Sequence, residues 1–207
     1  NLYTANNEDV KLVTCGSAIK ITHVESGGKY YLHSEDTMWQ YPGSSKQRVV
    51  TMSPHRESAD SLWLVREASG QPQCLPGQPI KCGSRIRLTH LQSNKNLHSS
   101  RNFHSPLSKQ QETHLFGDNG EGDFKDDWVV VCKGDKPSDR FFWQRDSNKQ
   151  YIQLKHAESG AFLSSSYTLS FGPNTPRIEN HLEVSGTYDA ASPATNFQVT
   201  LGIHLLQ

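Results

Sequence analysis

Hydrophobic and polar positions alternate with period two in three stretches of the chain. Ile19 and Ile21 flank Lys20, Ile86 and Leu88 flank Arg87, and Ile152 and Leu154 flank Gln153. This is the pattern of a strand with one face buried. Each run ends on a histidine, and His23, His90 and His156 lie 67 and then 66 residues apart. A fixed period of that length is the signature of an internal repeat, and it exceeds the roughly 40–45 residues of a propeller blade.

The repeat extends well beyond these runs. CGSRIRLTHLQSNKNLHS at 82–99 is nearly copied by CGSAIKITHVESGGKYYLHS at 15–34, and a worn copy, YIQLKHAESGAFLSS, occupies 151–165. Each reads as strand, turn, strand, because Ser-Gly and Ser-Asn pairs supply the turn chemistry. A third piece recurs as QRVVTMS from Gln47, QETHLFG from Gln111 and HLEVSG from His181. A fourth recurs as DSLWLV, DDWVVV and TNFQVT, which makes Trp63, Trp128 and Phe197 equivalent.

Three units of four short strands therefore span about 13–68, 80–134 and 145–203. No stretch carries a sustained i, i+3, i+4 apolar stripe, so the expected class is all-β with little helix. Six strands can close a short barrel and three hairpins can cap it, leaving no open edge. The expectation is one domain, 1–207, folded as a β-trefoil with pseudo-threefold symmetry.

Charge narrows the possible partners. The 207 residues carry 21 basic and 21 acidic side chains, with no block of like charge. Bulk electrostatic capture of nucleic acid or an anionic membrane is not expected. Apolar runs are far short of the roughly 20 residues that cross a bilayer, so direct membrane insertion is not expected. No glycosylation sequon is present.

Four cysteines, Cys15, Cys74, Cys82 and Cys132, allow three full connectivities. If the first and last strands of a unit pair antiparallel, Cys82 lies near Cys132, and Cys15 and Cys74 bracket unit one in the same way. Four reduced thiols in a cytosolic protein are the competing expectation.

Familiar catalytic signatures, HExxH, GxSxG, GxxxxGK[ST] and GxGxxG, are missing from the chain. The tempting general bases, His33 and His98, occupy equivalent places in repeated turns, where a structural role is expected, and no enzyme activity or cofactor is anticipated. His33, Ser34, His98 and Ser99 can alternatively present a polar groove to a peptide or sugar. His23, His90 and His156 are expected to hydrogen-bond a neighbouring hairpin and to hold no metal. The loop GDNGEGD at 117–123 offers Asp118, Glu121 and Asp123 to calcium, but it lacks EF-hand spacing and reads better as a tight hairpin turn.

The landmarks CGSxIxLTH, LHS and DxxW resemble the MIR motif, shared by protein O-mannosyltransferases, inositol trisphosphate and ryanodine receptors, and the stromal cell-derived factor 2 type of lumenal protein. Segments 80–90, 96–99, 105–108, 116–124 and 126–132 are especially similar to that last type. The resemblance departs in unit three, where Ser164 stands at the histidine of LHS and Phe197 at the tryptophan. It implies a MIR β-trefoil in the endoplasmic reticulum lumen or secreted, made with a cleaved signal peptide. It further implies a non-catalytic protein-interaction module in folding quality control, with a J-domain co-chaperone, lumenal Hsp70 and unfolded clients as partners. The alternative is a lectin-like trefoil that binds glycan, associated with protein O-mannosylation or glycoprotein recognition.

Two expectations concern the ends. The chain opens at Asn1 without methionine, as a processed or trimmed terminus would leave it, and the final IHLLQ carries no KDEL-type signal.

Aromatic residues separate the two functional readings. Trp39 and Tyr41, in TMWQYPG, have no copies in the other units and are expected to anchor a protein partner or to form a local mini-core. Phe103, in the unit-two segment FHSPL, is a further partner candidate, and FFW at 141–143 is expected at the junction of units two and three. A sugar platform repeated per unit needs exposed aromatics at equivalent positions, and Trp63, Trp128 and Phe197 are flanked by apolar strand residues. The chain is expected to be monomeric on its own.

Overall fold

A computed structural model of the chain describes residues 11–204. Residues 1–10 and 205–207 lie outside the described residues, and with them fall the expectation about Asn1 and most of that about IHLLQ. Unit one contributes β1 (Ser17–His23), β2 (Tyr31–His33), β3 (Thr51–Ser53) and β4 (Trp63–Glu67). Unit two contributes β5 (Arg85–His90), β6 (Lys95–His104), β7 (Gln111–Phe116) and β8 (Trp128–Lys133). Unit three contributes β9 (Tyr151–His156), β10 (Phe162–Ser170), β11 (Leu182–Thr187) and β12 (Phe197–His204). Short 3-10 turns precede β4, β8 and β12.

The first and last strands of each unit form a closed antiparallel ring. Its order is β1, β4, β5, β8, β9, β12 and back to β1. The middle strands make three hairpins, β2–β3, β6–β7 and β10–β11. In the cap over one end of the ring, β11 pairs with β3 and with β7, and a bridge from Val49 to His114 completes the triangle. This is the β-trefoil that the repeat anticipates.

The period-two residues meet in the core. Ile19, Ile21, Ile86, Leu88, Ile152 and Leu154 are buried together with Leu32, Leu97 and Leu163. Each such side chain contributes about 1.5–3 kcal/mol by leaving water. Trp63, Trp128 and Phe197 are fully buried. The two indoles donate to the Leu32 and Leu97 carbonyls at 2.9 and 3.0 Å, a bond that phenylalanine in unit three cannot make.

Two positions that alternation puts on an outer face, Arg87 and Gln153, are buried. Arg87 is only 4% exposed, because the loop 117–123 folds over it and its guanidinium donates to the Glu67 and Gly120 carbonyls. In the third recurring piece unit two is offset by one residue: His33 faces Thr51 and His98 faces His114, so Val49, Glu112 and Glu183 are the equivalent positions.

Both conditional bridges are formed. Cys15 joins Cys74 and Cys82 joins Cys132, closing separations of 59 and 50 residues. Unit three is fastened by a buried amide instead. Gln150 accepts from the Gln144 N–H at 2.7 Å and donates to the Asp139 and Phe142 carbonyls at 2.6 and 2.8 Å. In FFW, Trp143 is buried while Phe141 is 62% exposed and Phe142 borders solvent, so only the tryptophan packs as expected.

Candidate functional site

Three connections emerge from the cap hairpins, at 34–50, 105–110 and 171–181. Each carries a left-handed residue shortly before its returning strand: Lys46 (φ 60), Lys109 (φ 63) and Asn180 (φ 67). The first two share a Ser-Lys-Gln triplet, and each is seated on a buried carboxylate of the next unit. Glu112 accepts from the Ser45 N–H at 3.0 Å and from the Tyr41 and Ser45 hydroxyls. Glu183 accepts from the Leu107 and Ser108 N–H groups at 2.7 and 3.0 Å.

The third seat is occupied by Val49, which offers no acceptor. Connection 171–181 buries Phe171 and Ile178 there instead, against Val49 and Trp39. The Trp39 ring lies 5.7 Å from Phe171 and 5.8 Å from Tyr41, and its N–H donates to the Thr113 carbonyl at 3.0 Å. Locally, Pro42 and Gly43 (φ 79) bend the chain so that the Ser44 N–H reaches the Tyr41 carbonyl, the form of a type II turn.

Above this mini-core runs a groove of about 540 Å³, lined by Met38, Trp39, Tyr41, Leu107, Phe171 and Ile178. Met38 and Leu107 are its exposed rims, at 43% and 40%. The expected anchors are thereby redistributed. Trp39 is 4% exposed and forms the floor, not a projecting hot spot. Tyr41 is half-buried with its hydroxyl committed to Glu112, and burial followed by that carboxylate pushes its pKa up. Phe103 lies on β6, edge-on to His114 at 6.1 Å, and does not line the groove. Phe171 and Ile178 are recoverable from sequence only as apolar residues stranded in a Gly-Pro-rich, unit-specific loop.

The residues considered for a polar groove are interior. His33 bonds Ser61 and Glu35, each at 2.9 Å, and Ser34 donates to the Val49 carbonyl at 2.7 Å. Ser99 likewise donates to the Glu112 carbonyl at 2.7 Å, and Ser165 repeats this in unit three towards Glu183 at 2.9 Å. All four of His33, Ser34, His98 and Ser99 are buried.

His98 belongs to a longer chain of polar groups. Its Nδ1 meets His114 Nε2 at 2.8 Å, its Nε2 meets Asp123 Oδ1 at 3.2 Å, and His114 Nδ1 meets Glu112 Oε1 at 3.1 Å. Burial, and then the neighbouring His114, depresses the His98 pKa to about 2. Burial raises the Asp126 carboxyl to about 7, opposed by its hydrogen bond from Asn96.

The landmark histidines form one clasp repeated three times. Nδ1 of His23, His90 and His156 bonds the serine three residues on, at 3.0, 2.7 and 2.7 Å. Nε2 donates to the carbonyls of Ala194, Asp60 and Lys125, each in the 3-10 turn of the adjoining unit. The bond to a neighbouring element anticipated from sequence is thus joined by one within the turn.

Loop 117–123 is the expected hairpin, with positive φ at Asn119 and Gly120. Asp118 pairs with Lys95 at 2.9 Å while Glu121 lies near Arg66 and Arg87, so the two carboxylates diverge and form no calcium loop with Asp123.

Barrel, cap and loop groove define the class: a β-trefoil with a rigid repeated frame and asymmetric connections. The MIR domain family matches residues 31–169. Human stromal cell-derived factor 2 is 40% identical over 153 residues, 74% of this chain and 65% of that protein, so the chain spans about two thirds of this relative's length. The crystal structure of the SDF2-like protein from Arabidopsis thaliana matches with a TM-score of 0.80 and 29% identity, over 94% of this chain and 97% of that one. The S. cerevisiae protein O-mannosyltransferase Pmt1-Pmt2 complex bound to the sugar donor matches with a TM-score of 0.76 and 25% identity, over 96% of this chain and 27% of that one.

This chain belongs to the MIR domain family and is of the stromal cell-derived factor 2 type. That relationship and the two disulfides fit a protein of the secretory pathway.

Proposed function

We propose that the chain is a non-catalytic protein-interaction module of the endoplasmic reticulum lumen, acting in folding quality control beside a J-domain co-chaperone and Hsp70. The observation that carries this reading is the apolar groove over Trp39, rimmed by Met38 and Leu107, at the one seat where Val49 replaces the buried glutamate. The rim segments are tied to the cap, Leu107 through its N–H to Glu183 and the Met38 segment through the Trp39 N–H to the Thr113 carbonyl, which reduces the ordering entropy that opposes docking of an apolar segment. Similarity to stromal cell-derived factor 2 and the oxidised cysteines support the compartment.

The test is a pull-down from lumenal extract with wild type beside a Met38→Asp, Leu107→Asp double variant. Both side chains are exposed, so the melting temperature is expected to hold. Recovery of a J-domain protein and Hsp70 by wild type, reduced at least tenfold in the variant, is the expected result. Retention by wild type of glycoproteins alone, eluted by free mannose, overturns it in favour of the lectin-like reading, and equal recovery of both chaperones by the two baits overturns the groove as their site.

A further inference from the structure

A buried chain of polar groups runs from Glu112 through His114 and His98 to Asp123. Glu112 receives the Tyr41 hydroxyl and the Ser45 hydroxyl and N–H, so it is a carboxylate and an acceptor throughout. His114 Nδ1, facing it at 3.1 Å, therefore carries the hydrogen and donates. His114 Nε2 meets His98 Nδ1 at 2.8 Å, so one of the two rings donates there. When His98 Nδ1 is the donor, His98 Nε2 is a lone pair directed at Asp123 Oδ1 3.2 Å away, the form that a cation between them selects.

A third acceptor converges on the same point. His98, Asp123 and Asp126 each offer a ligand atom within 4.8 Å of the others. Asp126 is fully buried, and while its Oδ2 accepts from Asn96 and the Asp123 N–H at 3.2 and 2.9 Å, its Oδ1 has no partner. An unpartnered buried carboxylate oxygen is costly unless a cation completes it. The equivalent position is Ser61 in unit one and Thr195 in unit three, so repetition of the fold does not account for this aspartate.

We propose that His98, Asp123 and Asp126 bind a divalent transition-metal ion of the zinc class. One imidazole nitrogen and two carboxylates are a zinc-type donor set. The 3.2 Å between His98 Nε2 and Asp123 Oδ1 matches the ligand–ligand edge of about 3.3 Å that tetrahedral bonds near 2.0–2.1 Å require. His114 and Glu112 supply the outer shell, holding the His98 ring by its other nitrogen as ligating histidines are commonly held. Asp123, 41% exposed at its side chain, provides the way in and an open face for a fourth ligand. A proton on His98 Nε2 closes the contact to Asp123 but leaves Asp126 Oδ1 bare, whereas a metal ion completes both.

The experiment is calorimetric titration of the whole chain with zinc chloride, alongside Asp126→Asn and Asp123→Asn proteins and a Glu35→Gln control. The control addresses the second cluster among the described residues, His33, Glu35 and Asp60. Both test substitutions keep side-chain shape and an acceptor oxygen, and circular dichroism and the metal-free melting temperature report whether each variant folds. We expect one equivalent of zinc bound by wild type and by Glu35→Gln, raising the melting temperature, with affinity at least tenfold weaker in Asp126→Asn and Asp123→Asn. Cobalt(II) in place of zinc is expected to show the visible absorption of a low-coordinate site in wild type and to lose it in both variants. Absence of binding to wild type, or binding undiminished in the two aspartate variants, overturns the proposal. The pull-down above does not depend on metal, so each test fails independently.

Discussion

His23, His90 and His156 show what a polar residue does when it repeats with the fold: each ring is fully buried, bonded at both nitrogens, and packed 4.9–5.2 Å from the landmark aromatic Phe197, Trp63 or Trp128. Repetition marks these as structural, and the same logic makes departures informative. Glu183 and Glu112 seat neighbouring loops through charge-assisted bonds, whereas Val49 breaks the series. Replacing Glu183 with alanine strands the Leu107 and Ser108 N–H groups in a buried setting. We expect Glu183→Ala to lower unfolding free energy by about 2–4 kcal/mol in urea titrations, and Glu183→Gln, which keeps one acceptor, to lose less. A loss below about 0.5 kcal/mol for the alanine variant would contradict the seating role.

Strands and loops differ in how they are specified. The core strands follow from alternation alone, since Ile19, Ile86 and Ile152 and their partners two residues on all reach the core. Loop positions do not, because Trp39 becomes a floor only when Phe171 and Ile178 arrive from a loop more than 130 residues away. Between these extremes lie the fasteners. The bridge from Cys82 to Cys132 ties the start of β5 to the end of β8, and the chain-entropy treatment for a 50-residue separation gives up to about 4 kcal/mol. A Cys82→Ser, Cys132→Ser double variant is expected to lose about 2–4 kcal/mol in urea unfolding while keeping its far-ultraviolet dichroism, because the barrel pairings do not require the bridge. Loss of the β spectrum in native buffer would show that closure of unit two depends on it.

The whole molecule carries a pH dependence that no single unit would show alone. His90 and His181 are pushed to about 4 from 6.5, chiefly by burial; in His90 the Asp60 carbonyl works against this, and in His181 the neighbouring His33 adds to it. His23, His33 and His156 are lowered too, again by burial first. Between 6.5 and these folded values the unfolded chain binds protons that the folded chain refuses. Stability is therefore complete above pH 6.5 and declines as pH falls towards 4. We expect the melting temperature to hold from pH 8 to 6.5 and then drop, with a loss of at least about 2 kcal/mol by pH 4.5 at fixed temperature. Imidazole resonances of His90 should still report the neutral ring at pH 5. A flat profile across pH 6.5 to 4.5 would contradict the burial of these rings as neutral groups.

The class of fold and the core residues of the alternating strands were determined by the sequence itself, because each follows from a local pattern written two or three times and aligned by its own period, whereas the choice among three cysteine pairings waited on how the strands pair. Repetition makes one strand's alternation confirm another's, and symmetry then places equivalent residues at equivalent depths. What the tertiary structure alone decided lies where the copies differ. Alternation puts Arg87 on an outer face, yet a distant loop covers it; loop context leaves Trp39 open between a projecting anchor and a local mini-core, and side chains from unit three select the mini-core. The groove needs side chains from three units, and the His98 cluster needs Asp123 and Asp126 brought to β6 by the turn before β8. Such sites depend on several long-range contacts at once, and no local period encodes them.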